Sequence, residues 1–82
     1  MAAFMKVAVQ LFGPLAEQAG TARLEVFTSG GTVDDVIVAL HTAVPGLKLV
    51  NVRYAVNTDY AGPASAVSPG DVVSLIPPVG GG

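Results

Sequence analysis

The chain has 82 residues, of which 51% are hydrophobic, and its four Lys and Arg against six Asp and Glu give a formal net charge of −2. This length corresponds to one small domain, and the slightly acidic balance lacks the basic stripe that nucleic acids require, which excludes nucleic acid as an expected partner. The absence of cysteine excludes disulfides, thiolate metal sites and a cysteine nucleophile.

The first part of the chain predicts two strands separated by a short helix. Residues 5–12 place apolar side chains at every second position, which is typical of a strand buried on one face. Pro14 and Gly20 mark the start and the end of a helical turn. Residues 23–28 alternate again, so we expect the two strands to pair as an antiparallel hairpin with a long loop.

The middle of the chain predicts the main helix. Apolar residues recur at i, i+3, i+4, i+7 and i+11 from Val33, which places one apolar stripe along a helix. Thr32 is a natural N-cap, and Asp34 and Asp35 occupy the first turn, where the helix dipole favours negative charge. Pro45 and the glycine after it end the helix.

The remainder of the chain predicts three more strands. Residues 52–57 alternate in hydropathy, a minor strand is expected near residues 60–67, and residues 71–76 form the last strand. Pro77 and Pro78 end that strand because proline donates no hydrogen bond to a sheet.

This order of elements indicates an α+β fold, with a mixed sheet and one main helix packed on one face. It suits a β-grasp, the ubiquitin-like arrangement, although periodicity alone allows other small α+β folds. We expect residues 1–76 to form this domain and residues 77–82 to form a flexible C-terminal tail. No signal peptide or membrane span is recognisable, so the expected location is the cytoplasm.

The domain interior contains no catalytic motif. Asp34 and Asp35 are adjacent, so on a helix they point about 100° apart and cannot converge on one substrate atom. His41 is the only histidine, and without cysteine it has no partners for a metal site. The glycine-containing segments lack the spacing of phosphate-binding loops. We therefore expect the chain to have no catalytic activity on its own and to bind no metal.

The tail offers chemistry of a different kind. Two prolines stiffen its base, and the three final glycines have no side chain that could block a narrow channel. The one functional group at the tip is the α-carboxylate of Gly82. An ATP-dependent enzyme could activate this carboxylate as an acyl-adenylate, which a nucleophile would then attack.

The segment SLIPPVGGG, residues 74–82, resembles the C-terminus of the small, sulfur-carrying subunit of molybdopterin synthase. Members of this MoaD-type branch of the MoaD/ThiS proteins typically end in Pro-Pro-Val-x-Gly-Gly. The resemblance extends to the opening strand, to TVDDVIVAL at residues 32–40, to YAVN at residues 54–57 and to GDVVSLIPPV at residues 70–79. It implies a β-grasp fold, in agreement with the order of elements.

The resemblance also implies a function in molybdenum cofactor biosynthesis. An E1-like adenylating enzyme would use ATP and Mg to adenylate Gly82, and a sulfurtransferase or another persulfide donor would convert it to a thiocarboxylate. The tail would then enter the large subunit of molybdopterin synthase, in a complex of two small and two large subunits, and its sulfur would attack the pterin precursor to build the dithiolene. The inserted residues would be Pro77, Pro78, Val79, Gly80 and Gly81.

The high apolar content predicts an exposed patch where a partner docks. Phe12 lies on the face of the first strand opposite its buried residues, and Leu75 and Ile76 adjoin the tail. These three residues are our candidates for partner docking.

Several alternatives share the same tail. The thiazole branch, which supplies sulfur for thiamine, usually lacks the two prolines, and a ubiquitin-like modifier would pass Gly82 to lysine amines on target proteins. An interaction module with an inert tail is a third class. The sequence leaves open the activating enzyme, the sulfur donor, molybdenum or tungsten as the metal, the oligomeric state, and translation from Met1 or Met5.

Overall fold

A computed structural model describes residues 4–78 of the chain. Its strands are β1 (Met5–Leu11), β2 (Arg23–Thr28), β3 (Arg53–Val56), β4 (Asp59–Ala61) and β5 (Val72–Ile76), and its helices are α1 (Pro14–Ala19) and α2 (Val33–Ala43). The short helix, the main helix and the strands before and after them lie where the sequence periodicity predicted them.

The strands form one mixed sheet in the order β2-β1-β5-β3-β4. Strand β1 pairs antiparallel with β2 and parallel with β5, while β3 pairs antiparallel with both β5 and β4. With α2 packed on one face, this is the β-grasp arrangement expected from the order of elements. The expected antiparallel pairing of the first two strands is confirmed.

The core lies between the sheet and α2. Alternate residues of β1 and the stripe of α2 contribute to it. The largest fully buried side chains are Val7, Val9, Leu11, Val33, Val36, Leu40, Val73 and Leu75. The opposite face of the sheet has no helix across it among the described residues. Within residues 4–78, neither helix has the length and apolar content to cross a membrane.

Helix α2 begins with a capping box. The backbone N–H of Asp35 donates to Thr32 Oγ1 over 3.3 Å, and the backbone N–H of Thr32 donates to Asp35 Oδ2 over 3.1 Å. The prediction of Thr32 as the N-cap is therefore confirmed. These two bonds satisfy backbone donors that a helix end leaves without partners.

The predicted minor strand near residues 60–67 is wrong in its extent. Strand β4 ends at Ala61, and the residues after it form a loop with an isolated bridge to the start of α2. Within that loop, the carbonyls of Ser65 and Pro63 accept hydrogen bonds from the N–H groups of Val33 and Asp34 over 3.0 and 2.9 Å. The loop therefore supplies acceptors to the helix end in place of pairing within the sheet.

Candidate functional site

Strand β5 delivers the chain to the start of the tail at one end of the sheet. Because β5 runs parallel to β1, Leu75 lies opposite Leu11 and both strands end at the same edge. A Cβ added to Gly13 would lie 3.8 Å from Pro77 Cγ, so the turn after β1 borders the base of the tail. Gly13 has φ 55° and ψ −129°, a conformation that suits glycine alone.

The residues that would carry the predicted chemistry lie outside the described residues: Val79, Gly80, Gly81 and Gly82. Their role, and the insertion role of Pro77 and Pro78, stay predictions. Four extended residues reach at most roughly 14 Å. A protein that receives the end of the chain in a narrow channel must therefore also contact the sheet around the end of β5.

An apolar patch on the open face of the sheet lies beside the base of the tail. This open-face patch consists of Phe12, Ala55, Tyr60, Ser74 and Ile76, which line a shallow pocket of about 240 Å³ together with Asn57 and Thr58. The side chains of Phe12 and Tyr60 are 41% and 73% exposed. Large apolar side chains left in solvent on a small domain are typical of a protein-docking surface.

Strand register explains why these residues meet. Residues at every second position share a face of a sheet. Ser74 on β5 lies opposite Ala55 on β3, and Ala55 in turn lies opposite Tyr60 on β4. Phe12 and Ile76 each follow one residue after the Leu11 and Leu75 pair, at the end of their strands. The small side chains of Ala55 and Ser74 form the floor of the pocket, and the larger ones form its rim.

The prediction of Leu75 as a docking residue is wrong. Neighbouring residues of a strand point to opposite faces, and the Leu75 side chain points toward α2, where it is fully buried. Ile76 lies on the open face with Phe12, as a docking surface requires. The docking role of Phe12 and Ile76 stays a prediction.

Tyr60 is an aromatic residue of the patch that the sequence did not indicate as a docking residue. It belongs to the patch because Asn57 and Thr58 form the turn of a tight β3–β4 hairpin, in which Val56 pairs with Asp59. Asn57 has a positive φ of 57°, and asparagine is one of the few residues that adopt it readily in such turns. Reading a two-residue hairpin turn into VNTDY would have placed Tyr60 on the same face as Ala55.

A positive charge lies next to the base of the tail. Arg53 on β3 pairs with Ile76 in the sheet, and it lines a groove of about 750 Å³ that ends at Pro77 and Pro78. The Arg53 side chain is exposed and forms no ion pair among the described residues. A carboxylate on a docked protein could therefore pair with it.

A hydrogen-bonded network holds the rim of the patch in place. The Asn57 amide Nδ2 donates to Asp71 Oδ1 over 3.2 Å, and the Val72 N–H donates to Asn57 Oδ1 over 3.1 Å. The Ser68 N–H donates to Asp71 Oδ2 over 2.8 Å. The bonds from Ser68 and Asn57 stabilise the carboxylate and hold the pKa of Asp71 below its ordinary value. The β3–β4 turn is thereby tied to the start of β5.

Two other polar side chains, those of His41 and Asp35, make contacts within the domain. His41 Nε2 lies 3.2 Å from the Leu47 carbonyl oxygen, and Asp35 belongs to the capping box. Within the part of the chain that the structure describes, no cluster of three acidic, histidine or cysteine side chains is arranged to hold a metal ion.

Comparison with known proteins gives the family. The family model described as the ThiS family matches residues 9–82. The chain belongs to the ThiS family. Its resemblance to the MoaD/ThiS proteins is thereby confirmed, and it is a ubiquitin-fold protein of the ThiS and MoaD sulfur-carrier type. No curated protein sequence matches the chain.

Several solved structures are similar to this ThiS-family chain. SAMP1 from Haloferax volcanii is 32% identical with a TM-score of 0.82, over 94% of this chain and 99% of that one. A complex of subunits 1 and 2 of molybdopterin-converting factor from Helicobacter pylori contains a chain 28% identical, with a TM-score of 0.63 over 95% of this chain and 100% of that one. The BexX/CysO complex of Amycolatopsis orientalis contains a chain 26% identical, with a TM-score of 0.77 over 93% and 99%. Two of these structures are complexes with another protein, which supports a protein partner for this chain.

Proposed function

We propose that this ThiS-family protein is the sulfur-carrying small subunit of molybdopterin synthase. The observation that carries the proposal is the position of the open-face patch, which lies directly beside the base of a tail that ends in Gly81 and Gly82. A partner that docks on Phe12, Tyr60 and Ile76 also covers the point where the tail leaves the sheet. The similarity to a chain in the molybdopterin-converting factor complex supports this assignment.

The reaction at the tail starts with activation of its α-carboxylate. In an E1-like adenylating enzyme, a Gly82 carboxylate oxygen attacks the α-phosphorus of Mg-bound ATP, and pyrophosphate leaves. The terminal sulfur of a persulfide donor attacks the activated carbonyl carbon and displaces AMP. A second thiol then reduces the acyl disulfide, which leaves the thiocarboxylate on Gly82 and a disulfide on the donor side. The chain supplies no side-chain thiol, since it contains no cysteine that could capture the acyl group.

The folded domain supplies the surface that docks on the large subunit and the strand from which the tail extends. Phe12 and Tyr60 are aromatic anchors of the kind that dominate binding energy at protein interfaces, and they are exposed at 41% and 73%. Arg53 at the tail base offers a charge that fixes orientation in the large subunit. Two prolines end β5 because they donate no backbone hydrogen bond, and three glycines carry no side chain that would block a narrow channel.

The experiment that tests sulfur loading is intact mass measurement of the chain with its native C-terminus. The chain is incubated with Mg-ATP, an E1-like adenylating enzyme and a persulfide donor. We expect one oxygen to be replaced by sulfur, with fragmentation placing the change on Gly82. An unchanged mass, with an enzyme that loads a known carrier in parallel, would refute the carrier function.

A second experiment tests the acceptor. The loaded chain is mixed with the large subunit of molybdopterin synthase and the pterin precursor, and dithiolene formation is followed together with loss of the thiocarboxylate. Deletion of Gly82, or addition of one alanine after it, should abolish transfer without changing the unfolding midpoint. Loading without transfer to the pterin would refute the molybdopterin assignment and retain the sulfur carrier.

Protein modification is a second candidate function. It is favoured by the 32% identity to SAMP1, whose full name is small archaeal modifier protein 1. In this function a lysine amine attacks the activated Gly82 carbonyl and forms an isopeptide bond. Peptides in which Gly82 is joined to a lysine side chain, found in a lysate of cells that express the native chain, would establish it. A variant chain without Gly82 is the matched control.

A further inference from the structure

A groove runs between the outer edge of β2 and helix α2. This edge groove encloses about 500 Å³, and it is lined mainly by Phe4, Phe27, Val38, Ala39, Thr42 and Ala43. The side chains of Phe27 and Val38 are 63% and 67% exposed. The groove is separate from the open-face patch, and none of the patch residues lines it.

Strand β2 presents free backbone groups along this groove. It is the first strand in the sheet order, and among the described residues no strand pairs with its outer side. The Leu11 N–H donates to the Ala22 carbonyl, and bonded pairs alternate along an antiparallel ladder. The even-numbered residues of β2 therefore bond to β1, while the N–H and C=O groups of the odd-numbered residues point outward. Those of Arg23 bond to the Thr21 hydroxyl, so Glu25 and Phe27 are the residues with free outward groups along the groove.

The outer edge has little protection against pairing. Edge strands are usually guarded by proline, by a bulge or by inward-pointing charges. The second half of β2 has none of these, and the Phe27 side chain is exposed at this edge. We propose that an extended segment of a partner protein binds in the edge groove as an added strand next to β2.

The lining of the groove specifies the chemistry of that segment. Alternate side chains of an added strand would point toward α2 and pack against Val38, Ala39 and Thr42. The two charged residues in the lining are Glu25 and Asp35, and no lysine or arginine lines the groove. Glu25 Oε2 lies 3.7 Å from Lys6 Nζ. This ion pair is weak because both side chains are more than half exposed. The partner segment is therefore apolar at alternate positions and carries Lys or Arg at its ends.

The position of the edge groove relative to the tail indicates what a segment bound there would do. Thr28 at the end of β2 pairs with Met5 at the start of β1, whereas the tail leaves the sheet where β1 ends. The edge groove and the tail base thus lie toward opposite ends of the sheet. A segment bound at β2 would hold a partner on the chain while the tail and the open-face patch stay free, and this inference does not depend on the proposed function.

The experiment is an NMR titration of the isotope-labelled full chain. The probe is a synthetic peptide of alternating Val and Thr with Lys at both ends, and the matched probe carries Glu in place of Lys. We expect shift changes confined to residues 23–29 and 35–43, with binding about threefold or more tighter for the Lys peptide. Phe27→Pro removes an outward N–H without touching a bond to β1, and it should weaken binding about fivefold or more.

Two further variants keep the outcome decisive. Val38→Lys at an exposed helix position places a cation in the apolar lining without altering β2, so it should reduce binding of the Lys peptide even if Phe27→Pro fails to fold. Tyr60→Ala on the open-face patch should leave binding unchanged. Shift changes on the open-face patch, equal binding of both peptides, or no binding would overturn the proposal. Concentration-dependent shifts of residues 23–29 without peptide would also overturn it, because a second copy of the chain would then occupy the groove.

Discussion

Gly30 lies against the carboxylate of Asp35, so close that a Cβ on Gly30 would overlap the Asp35 side chain. That carboxylate accepts hydrogen bonds from the Thr32 N–H and hydroxyl over 3.1 and 2.8 Å. Gly30, two residues before the N-cap, therefore leaves room for the capping box. A glycine is required there for space, since the structure gives Gly30 no positive φ.

Gly30→Ala should destabilise the protein because the new methyl group displaces Asp35 from the cap. We expect a loss of about 1–2 kcal/mol in the free energy of unfolding, as for removal of an N-cap. Urea unfolding at neutral pH measures it. Gly62→Ala is the matched control, since a Cβ there meets no atom within 4 Å. An equal effect of the two substitutions would show that Gly30 does not act through the cap.

The Asp71 carboxylate should make stability depend on pH. Hydrogen bonds from Ser68 and Asn57 hold its pKa below the ordinary value, so the folded state binds the proton less tightly than the unfolded state. This contribution is present above the unfolded pKa of about 4, and it is lost as the pH falls through the lower folded pKa. We expect Asp71→Asn to lower the urea midpoint at pH 7 and to lower it less at pH 3.

Asp59→Asn provides the comparison for Asp71. It removes the same charge from an exposed residue of β4 whose side chain makes no hydrogen bond among the described residues. The pH dependence of the urea midpoint should stay as in the parent chain. If Asp71→Asn and Asp59→Asn reduce the pH dependence of the urea midpoint equally, the cause is the change in net charge and not the loss of the Asn57–Asp71 hydrogen bonds.

The sequence predicted most of the fold because each element carries a strong local signal. The stripe that starts at Val33 and the N-cap at Thr32 define α2, and alternation in residues 5–12 places Phe12 on the open face. The loop after Ala61 was harder to predict, since its apolar residues suggest a strand. Its carbonyls bond to the start of α2, a tertiary contact that the local pattern does not encode.

The site was predicted less completely than the fold. Two adjacent strand residues cannot share a face, so Leu75 and Ile76 could not both dock. Val73 is 0% exposed, which shows that the odd-numbered residues of β5, and therefore Leu75, face the core. Tyr60 depends on strand register, which is set by the Asn57–Thr58 turn and by pairing with β3. Register joins residues that are distant in sequence, and periodicity within one strand does not contain it.

The two aromatic side chains of the open-face patch should control partner binding. We expect Phe12→Ala and Tyr60→Ala each to raise the Kd for the large subunit of molybdopterin synthase by about tenfold or more, as at interface hot spots. Calorimetry with purified proteins measures this. Phe27→Ala is the control, because Phe27 is 63% exposed but lies outside the patch. A larger effect from Phe27 than from Phe12 or Tyr60 would move the interface to the edge groove.

Substitutions at Leu75 and Ile76 should separate folding from docking. Leu75 is fully buried, so Leu75→Ala should reduce the free energy of unfolding by about 2–5 kcal/mol through lost contacts and a cavity. Ile76 is only partly buried on the open face, so Ile76→Ala should cost less stability and should weaken binding to the large subunit. Urea unfolding and calorimetry on both variants give the two quantities. A folded Leu75→Ala protein that binds normally, together with an Ile76→Ala protein that does not, would confirm the division of the two side chains between core and interface. Normal binding by Ile76→Ala would instead remove Ile76 from the docking surface.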